Sequence, residues 1–564
     1  MSDRMHPIPF PQLLNWVMAE WRDSGSVFGC HKIYHADPER FIDFVGHRIE
    51  TPVGPAAGPN TQLAQNIVAA YVCGGRIFEL KTVQVIDGEN LHVSKPCILA
   101  EDEGYNCEWS TELTVPQAFE EYVKAWFLLN LLSKELELGR QDGFAFNMSV
   151  GYDLAGIQSK KIDDFIEGLK DASQTRIFQR CKQQLLDFLP RCKRMTAEDV
   201  EAISPHICDN ISLSTMHGCP AGEIERIALY LIEEKGLNLY LKCNPTLLGY
   251  DYVRQALDEL GFQYIQFTRE QFDNDLQYAD AVPMLRRLRD RSAQLGRRFG
   301  VKLTNTFPVK VLRGELPDET MYMSGRTLLP LSLGVAEKLS AEFDGQLPIS
   351  YCGGANAQNI ASILATGIQP ITVCTDLLKP GGYHRLNSMA LNLDRAVLGP
   401  VERIDTQAVA LLAKTLCGPA GRSNEVKRKP RPEEPQCHVR CKTVCGSCAT
   451  LCPNRANVII TAGGRRQMLH LDGLCNECGN CASFCPEGSA PYLEKLTLFC
   501  TQAELEGSQN SGFAPVEGSH TRFVVRWNGE ITYYDLEEPE SGLEEEVACV
   551  IRAVAHAYPY LMYR

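Results

Sequence analysis

Residues 210–245 read NISLSTMHGCPAGEIERIALYLIEEKGLNLYLKCNP. A short β-branched run (210–216) ends in a polar loop and gives way to helically spaced apolar residues (221–236). A second short run, LYLKCNP (239–245), follows. Strand, loop, helix and strand in that order are the repeating piece of a parallel α/β architecture.

The alternation continues in both directions. Further strands are expected at FELKTVQV (78–85), AFNMSVGY (145–152), FQYIQF (262–267), GVKLTNTF (300–307), LPISYC (347–352) and PITVCTD (370–376). AQNIASILATG (357–367) is one of the helices between them. Eight strands with intervening helices predict a (β/α)8 TIM barrel over residues 46–400, with a doubly wound sheet as the alternative.

The remaining composition bounds the class. At 564 residues, two or three domains are expected. A formal charge of −14 argues against a nucleic-acid or anionic-membrane surface. No apolar run approaches the roughly 18 residues of a membrane span, and MSDRMHPIPF lacks the apolar stretch of a secretory signal. A cytoplasmic protein is expected.

Of 23 cysteines, nine fall between Cys437 and Cys485. Cys441, Cys445, Cys448 and Cys452 precede Pro453; Cys475, Cys478, Cys481 and Cys485 precede Pro486. The second run has the spacing that holds [4Fe–4S] clusters in two-cluster ferredoxins, where the fourth cysteine serves the other cluster. The expected quartets are therefore Cys475, Cys478, Cys481 with Cys452, and Cys441, Cys445, Cys448 with Cys485. The first run carries one extra residue after Cys441, which leaves Cys437 as a rival ligand. Structural zinc is the competing reading.

A module that moves single electrons needs an acceptor, and the barrel is the place for it. Polar residues gather at the expected strand ends: Lys81, Asn147, Lys242, Asn305, Thr306, Gly353, Gly354 and Thr375. Gly353–Gly354 ahead of a helix predicts a phosphate site, and no dinucleotide fingerprint follows any strand. FMN fits that combination.

These residues resemble the dihydroorotate dehydrogenase superfamily, and within it the flavin and ferredoxin parts of dihydropyrimidine dehydrogenase. TPVGPAAGPN, ELKTV, FNMSVGYD, LYLKCNP, LTNT, MYMSGRTLLPLS and SYCGGA carry the likeness. Over nearly its whole length the chain is similar to the bacterial YgfK-type family that bears the name selenate reductase, through MHPIPF, TPVGPAAGPNTQLAQN, STMHGCP and LCPNRAN. That resemblance implies FMN contacts at Ala56, Ala57, Gly58, Lys81, Thr82, Asn147, Lys242, Thr304, Gly325, Gly353, Gly354 and Thr375. It implies substrate contacts at Asn305, Thr306 and Ser212, with Asn147 or Asp153 as another. The larger relatives carry FAD- and NAD(P)-binding domains where this chain has a linker. The departure implies a hetero-oligomer in which a separate FAD- and NAD(P)H-binding flavoprotein supplies electrons.

In the dehydrogenases a cysteine within N-L-S-C-P delivers the proton. Here the aligned residues are Ser212, Leu213, Ser214 and Thr215, so the cysteine is a threonine. Cys219 and His217 are nearby substitutes, and Thr215 could act only as a relay.

The expected organisation is an N-terminal extension (1–45), the FMN-binding barrel (46–400), a linker (401–436), a 2[4Fe–4S] ferredoxin-like domain (437–492) and a small α+β element (493–564). The last contains a hairpin at Asn528–Gly529 and a closing helix. Residues 96–112 are expected to form a polar insert: a lid, a partner surface or a solvated loop. The expected function is an FMN- and iron–sulfur-dependent oxidoreductase that reduces a C=C or C=N bond in a purine- or pyrimidine-derived cyclic amide. The alternatives are an electron-transfer subunit for another catalytic protein and a flavin-free scaffold.

Overall fold

The computed structural model describes residues 4–101, 103–107, 110–215, 217–396, 398, 401–417, 439–519, 521–538 and 542–563. Cys437 and most of the expected linker lie outside them. The chain divides into two units, Lys32–Leu377 with Tyr383–Lys427, and Met1–His31 with Leu378–Gly382 and Arg428–Arg564.

The first unit is built on eight parallel strands: β1 (Val53–Pro55), β2 (Ile77–Glu79), β3 (Ala145–Val150), β4 (Asn210–Ser214), β5 (Asn238–Cys243), β6 (Phe299–Leu303), β7 (Ile349–Tyr351) and β8 (Ile371–Val373). They pair in the order β1-β8-β7-β6-β5-β4-β3-β2, so the sheet curls until its first two strands meet. At that seam the Arg76 amide donates to the Val53 carbonyl at 2.9 Å. Gly54 allows the approach, because a Cβ there would lie 1.6 Å from the Ile77 carbonyl oxygen. The architecture is the expected TIM barrel.

Two strands differ from expectation. VGP (53–55) has too little β-branched character to announce itself, yet it closes the barrel. Residues 262–267 form no strand. Phe267 instead packs on Phe272 and Phe307, with ring centroids 5.7 and 5.2 Å apart, so burial of its aromatic rings explains the apolar run.

A hairpin, Ile42–Phe44 with His47–Ile49, covers the N-terminal end of the strands. Phe44 stacks on Tyr240 at 5.6 Å and joins Ile77 and Ala145 in one apolar cluster. Above β2 and β6, Ile98–Ala100, Glu103–Asn106, Phe307–Lys310 and Thr320–Gly325 form a four-stranded antiparallel sheet. The insert at 96–112 thus contributes two strands to a flap.

The second unit contains a six-stranded sheet of β9 (Asn457–Ala462), β10 (Arg465–Leu471), β11 (Thr497–Leu498), β12 (Gly512–Pro515), β13 (Arg522–Trp527) and β14 (Glu530–Asp535), paired in sequence order. Because β10 pairs with β11, the sheet runs through the boundary expected after residue 492. The β13–β14 hairpin turns on Asn528 and Gly529, with φ of 52° and 82°, as Asn-Gly predicts. The closing helix is Glu545–Ala557. Helix Phe10–Ser24 belongs to this unit, its Trp16 ring 5.8 Å from Tyr560, so the expected N-terminal extension divides between the two units. Among the described residues no helix is long and apolar enough to cross a membrane.

Candidate functional site

β2 ends on Glu79, which turns into the barrel and is 2% exposed. A lone carboxylate there would be costly, so its surroundings must compensate it. Lys302 of β6, equally buried, places Nζ 3.4 Å from Glu79 Oε2. Ser212 donates to Oε1 at 3.1 Å, and the Ala57 amide and Thr372 hydroxyl donate to Oε2 at 3.2 and 3.3 Å. Burial pushes the Glu79 carboxyl up, but Lys302 and Lys242, with those donors, hold it below the ordinary carboxylate range. Lys302 also donates to Ser350 at 3.0 Å and Thr372 at 2.6 Å. Five strands are tied at this point. The sequence reading missed both charges, because a lysine or glutamate inside a short strand reads as a solvated edge.

Asn147 on β3 is 3% exposed and donates from Nδ2 to Ser212 Oγ at 2.7 Å. Its Oδ1 has no hydrogen-bond partner among the described residues. The Lys242 ammonium, near the end of β5, makes no hydrogen bond with the described residues either, although its charge reaches Glu79. Asp153, the alternative to Asn147, is exposed and caps helix Leu154–Ile157 by accepting from the Gly156 amide at 2.7 Å.

The loops after β4, β5 and β6 converge on a residue that no motif flagged. Asp275 is 5% exposed and accepts through Oδ2 from Asn244 at 2.9 Å, Thr246 at 2.8 Å and His217 Nδ1 at 3.0 Å. Its Oδ1 accepts from the Gly218 amide at 3.2 Å. Burial pushes the Asp275 carboxyl up, and the His217 and Thr246 contacts bring it below its usual range. His217 Nε2 lies 3.1 Å from the Thr306 carbonyl oxygen. Both ring nitrogens therefore face protein acceptors.

The other two candidate acids differ. Thr215 spends its hydroxyl proton on the Lys242 carbonyl at 3.1 Å. Cys219 is half-buried and its thiol makes no hydrogen bond among the described residues. Burial, then Glu223 and Asp275, push that thiol up, so it keeps its proton at neutral pH. Cys219 alone in this loop holds an uncommitted proton.

Around the rest of the mouth, Lys81 is 3% exposed, and the Thr82 and Ser149 hydroxyls meet at 2.8 Å. Thr304 and Ser332 hydroxyls lie 2.9 Å apart, and those of Ser324 and Thr375 are 2.7 Å apart. Ala56 and Gly58 are buried in the loop after β1, where a Cβ on Gly58 would lie 2.6 Å from Cys374 Sγ. Gly353 and Gly354, at φ of 117° and 73°, admit no side chain, since a Cβ would meet Ser332 Oγ at 2.3 Å and Leu329 Cβ at 2.7 Å. The helix following them begins only at Ile360. The terminus they adjoin is that of Leu329–Glu342, reached through Gly325, whose carbonyl oxygen would be 2.9 Å from a Gly354 Cβ.

In the other unit, Cys441, Cys445, Cys448 and Cys485 line one pocket together with Lys495. Cys475 and Cys481 lie close enough to Cys452 for its charge to act on both. Cys448 is also within reach of Cys452 and Cys481, so the thiols of the two runs lie near one another. Helices Ser447–Leu451 and Asn480–Ser483 each open after a left-handed glycine, Gly446 at φ 76° and Gly479 at φ 78°. Each lifts the third cysteine of its run, Cys448 and Cys481, into the interior.

Residues 28–422 match the family model described as "Oxidoreductase YgfK, N-terminal TIM-barrel domain". The chain is 46% identical over 427 residues to "Putative oxidoreductase YgfK" of Escherichia coli (strain K12), and equally to its counterpart in Escherichia coli O157:H7. Each alignment covers 73% of this chain and 41% of the relative, so the chain spans less than half the length of these curated relatives. With its eight-stranded barrel and this match, the chain belongs to the YgfK N-terminal TIM-barrel domain family.

Proposed function

We propose that the chain is an FMN- and iron–sulfur-dependent oxidoreductase subunit that reduces a C=C or C=N bond in a purine- or pyrimidine-derived cyclic amide. Its electrons come from a separate flavoprotein that oxidises NAD(P)H. The observation that carries the reading is the barrel mouth, where among the described residues a buried Asn147 Oδ1 lacks a donor and the Lys242 ammonium lacks an acceptor. Polar groups left open in a built interior are groups that expect a ligand.

The residues fit FMN. Gly353 and Gly354 form a cradle that a Cβ would fill, beside the N-terminus of Leu329–Glu342, where a phosphate is favoured. Lys242 supplies a cation for a ring that gains negative charge, and Lys81 and Thr82 border the same mouth. The two cysteine quartets fit [4Fe–4S] clusters by donor type and number. Bound FMN supplies hydride transfer, and the clusters supply single electrons.

The chain's own residues then have distinct tasks. Asn305 and Thr306 orient the amide edge of the substrate. Asp275 ties Asn244, Thr246 and His217 into one rigid support. Cys219 holds the proton that the reduced carbon receives. The relatives' name as oxidoreductases agrees with this chemistry.

One observation favours a second reading, an electron-transfer subunit for another catalytic protein: the His217 ring nitrogens and the Thr215 hydroxyl are already engaged with protein acceptors. Reduced full-length protein, reconstituted with iron, sulfide and FMN, separates the two. Mixing it anaerobically with uracil, xanthine and related heterocycles should reoxidise the flavin with at least one of them. Flavin reoxidation by none, while the clusters still cycle with an artificial acceptor, would establish the relay.

A further inference from the structure

Amide side chains are ambiguous in isolation, because oxygen and nitrogen can exchange places by a rotation. Here their orientation follows from a group that cannot donate. Asp275 is buried and ionised, and it accepts from His217, Thr246 and a backbone amide. Asn244 must therefore turn Nδ2 toward it, at 2.9 Å. That leaves Asn244 Oδ1 facing Asn305 at 2.7 Å, so Asn305 must present Nδ2 to it. The second Nδ2 hydrogen of Asn305 goes to the Thr215 carbonyl at 3.3 Å. Both donors of Asn305 are spent. Its Oδ1 accepts only from Ser214, at 3.2 Å, and keeps one lone pair.

A separate chain ends the same way. Glu79, ionised against Lys302, takes the Ser212 proton. Ser212 Oγ must then accept from Asn147 Nδ2, which leaves Asn147 Oδ1 without a partner. Ser212 and Ser214 are two residues apart on β4, so both chains emerge on the same inner face of that strand.

We propose that the substrate is recognised through its own N–H groups rather than its carbonyls, and that Asp275 is the positioning residue that imposes this polarity on Asn305. The proposal rests on the reading of the mouth as a cyclic-amide site. Asp275 touches no substrate in this scheme. It acts through Asn244, whose amide would otherwise be free to reverse. A lactam or ureide carrying ring N–H fits; its N-alkylated form, which keeps both carbonyls, does not.

The test uses the FMN-loaded full chain and calorimetric binding of uracil and 1,3-dimethyluracil. Wild type should bind uracil at least about tenfold more tightly, the worth of one unmet buried hydrogen bond. Asp275→Asn, which lets Asn244 and Asn305 reverse, should erase most of that preference. Equal binding in wild type, or an undiminished preference in the variant, overturns the proposal. Neutron diffraction from wild-type crystals gives a readout independent of ligand and of the variant's folding. Nδ2 of Asn244 should face Asp275, and finding Oδ1 there refutes the polarity. If neither uracil compound binds while the neutron map shows the expected orientation, the polarity stands and the cyclic-amide reading falls.

Discussion

Lys302→Met removes an ammonium from the barrel interior and keeps its stem. Glu79 stays 2% exposed and retains three donors, but loses the cation 3.4 Å away. Breaking one side of a buried ion pair costs about 3–5 kcal/mol. Ser350 and Thr372 each lose a donor as well. For a unit of this size, that loss lowers the melting temperature by about 4–6 °C. The pH dependence should change sign. In wild type the Glu79 carboxyl is held below its ordinary value, so its contribution is present above the unfolded pKa and is lost as pH falls through the folded one. In Lys302→Met the strongest compensating charge is gone, so burial should outweigh what Lys242 and the remaining donors offset, and the folded value should rise above the unfolded one. Stability should then increase as pH is lowered through it. Calorimetric melting between about pH 3 and pH 8, a range that brackets the ordinary carboxylate value from both sides, measures both effects. The double variant Glu79→Gln/Lys302→Met should recover part of the loss, because no charge is left unpaired. A single variant that melts like wild type, or a double variant no more stable than the single, would refute the account of this pair.

Three further outcomes follow from particular residues. Lys495 is 1% exposed and lines the pocket of Cys441, Cys445, Cys448 and Cys485. Lys495→Met should lower the reduction potential of the cluster proposed there and leave the other unchanged, as read by an EPR-monitored redox titration. Cys219→Ser should slow reduction of a heterocyclic substrate by about 100-fold or more in single-turnover kinetics, and an unchanged rate would remove the cysteine as acid. Gly529 sits at φ 82° in the β13–β14 turn, so Gly529→Ala should destabilise the second unit by about 1 kcal/mol in denaturant unfolding.

The barrel was legible because most of its strands are continuous β-branched runs separated by amphipathic helices. β1 was not, since Val53–Pro55 is a strand only through pairing with β8 and the close approach that Gly54 allows. FQYIQF misled for the opposite reason: its apolar residues serve an aromatic cluster and not a ladder. The two cysteine runs stand out in the sequence, because local spacing alone dictates which thiols share a loop. Glu79, Lys302 and Asp275 were hidden. Their roles arise from side chains brought together from distant segments, Asp275 with Asn244, Thr246 and His217, and no local pattern encodes that meeting. The packing of Gly353–Gly354 against Ser332 and Leu329, earlier in the chain, was hidden for the same reason.

The central claim is that this chain holds a flavin in its barrel and two iron–sulfur clusters on its cysteines. Metal, acid-labile sulfide and flavin analysis of anaerobically prepared full-length protein tests it most directly. The account predicts about eight iron and eight sulfide per chain, and about one FMN released on denaturation. Zinc in place of iron, with no flavin, would contradict it.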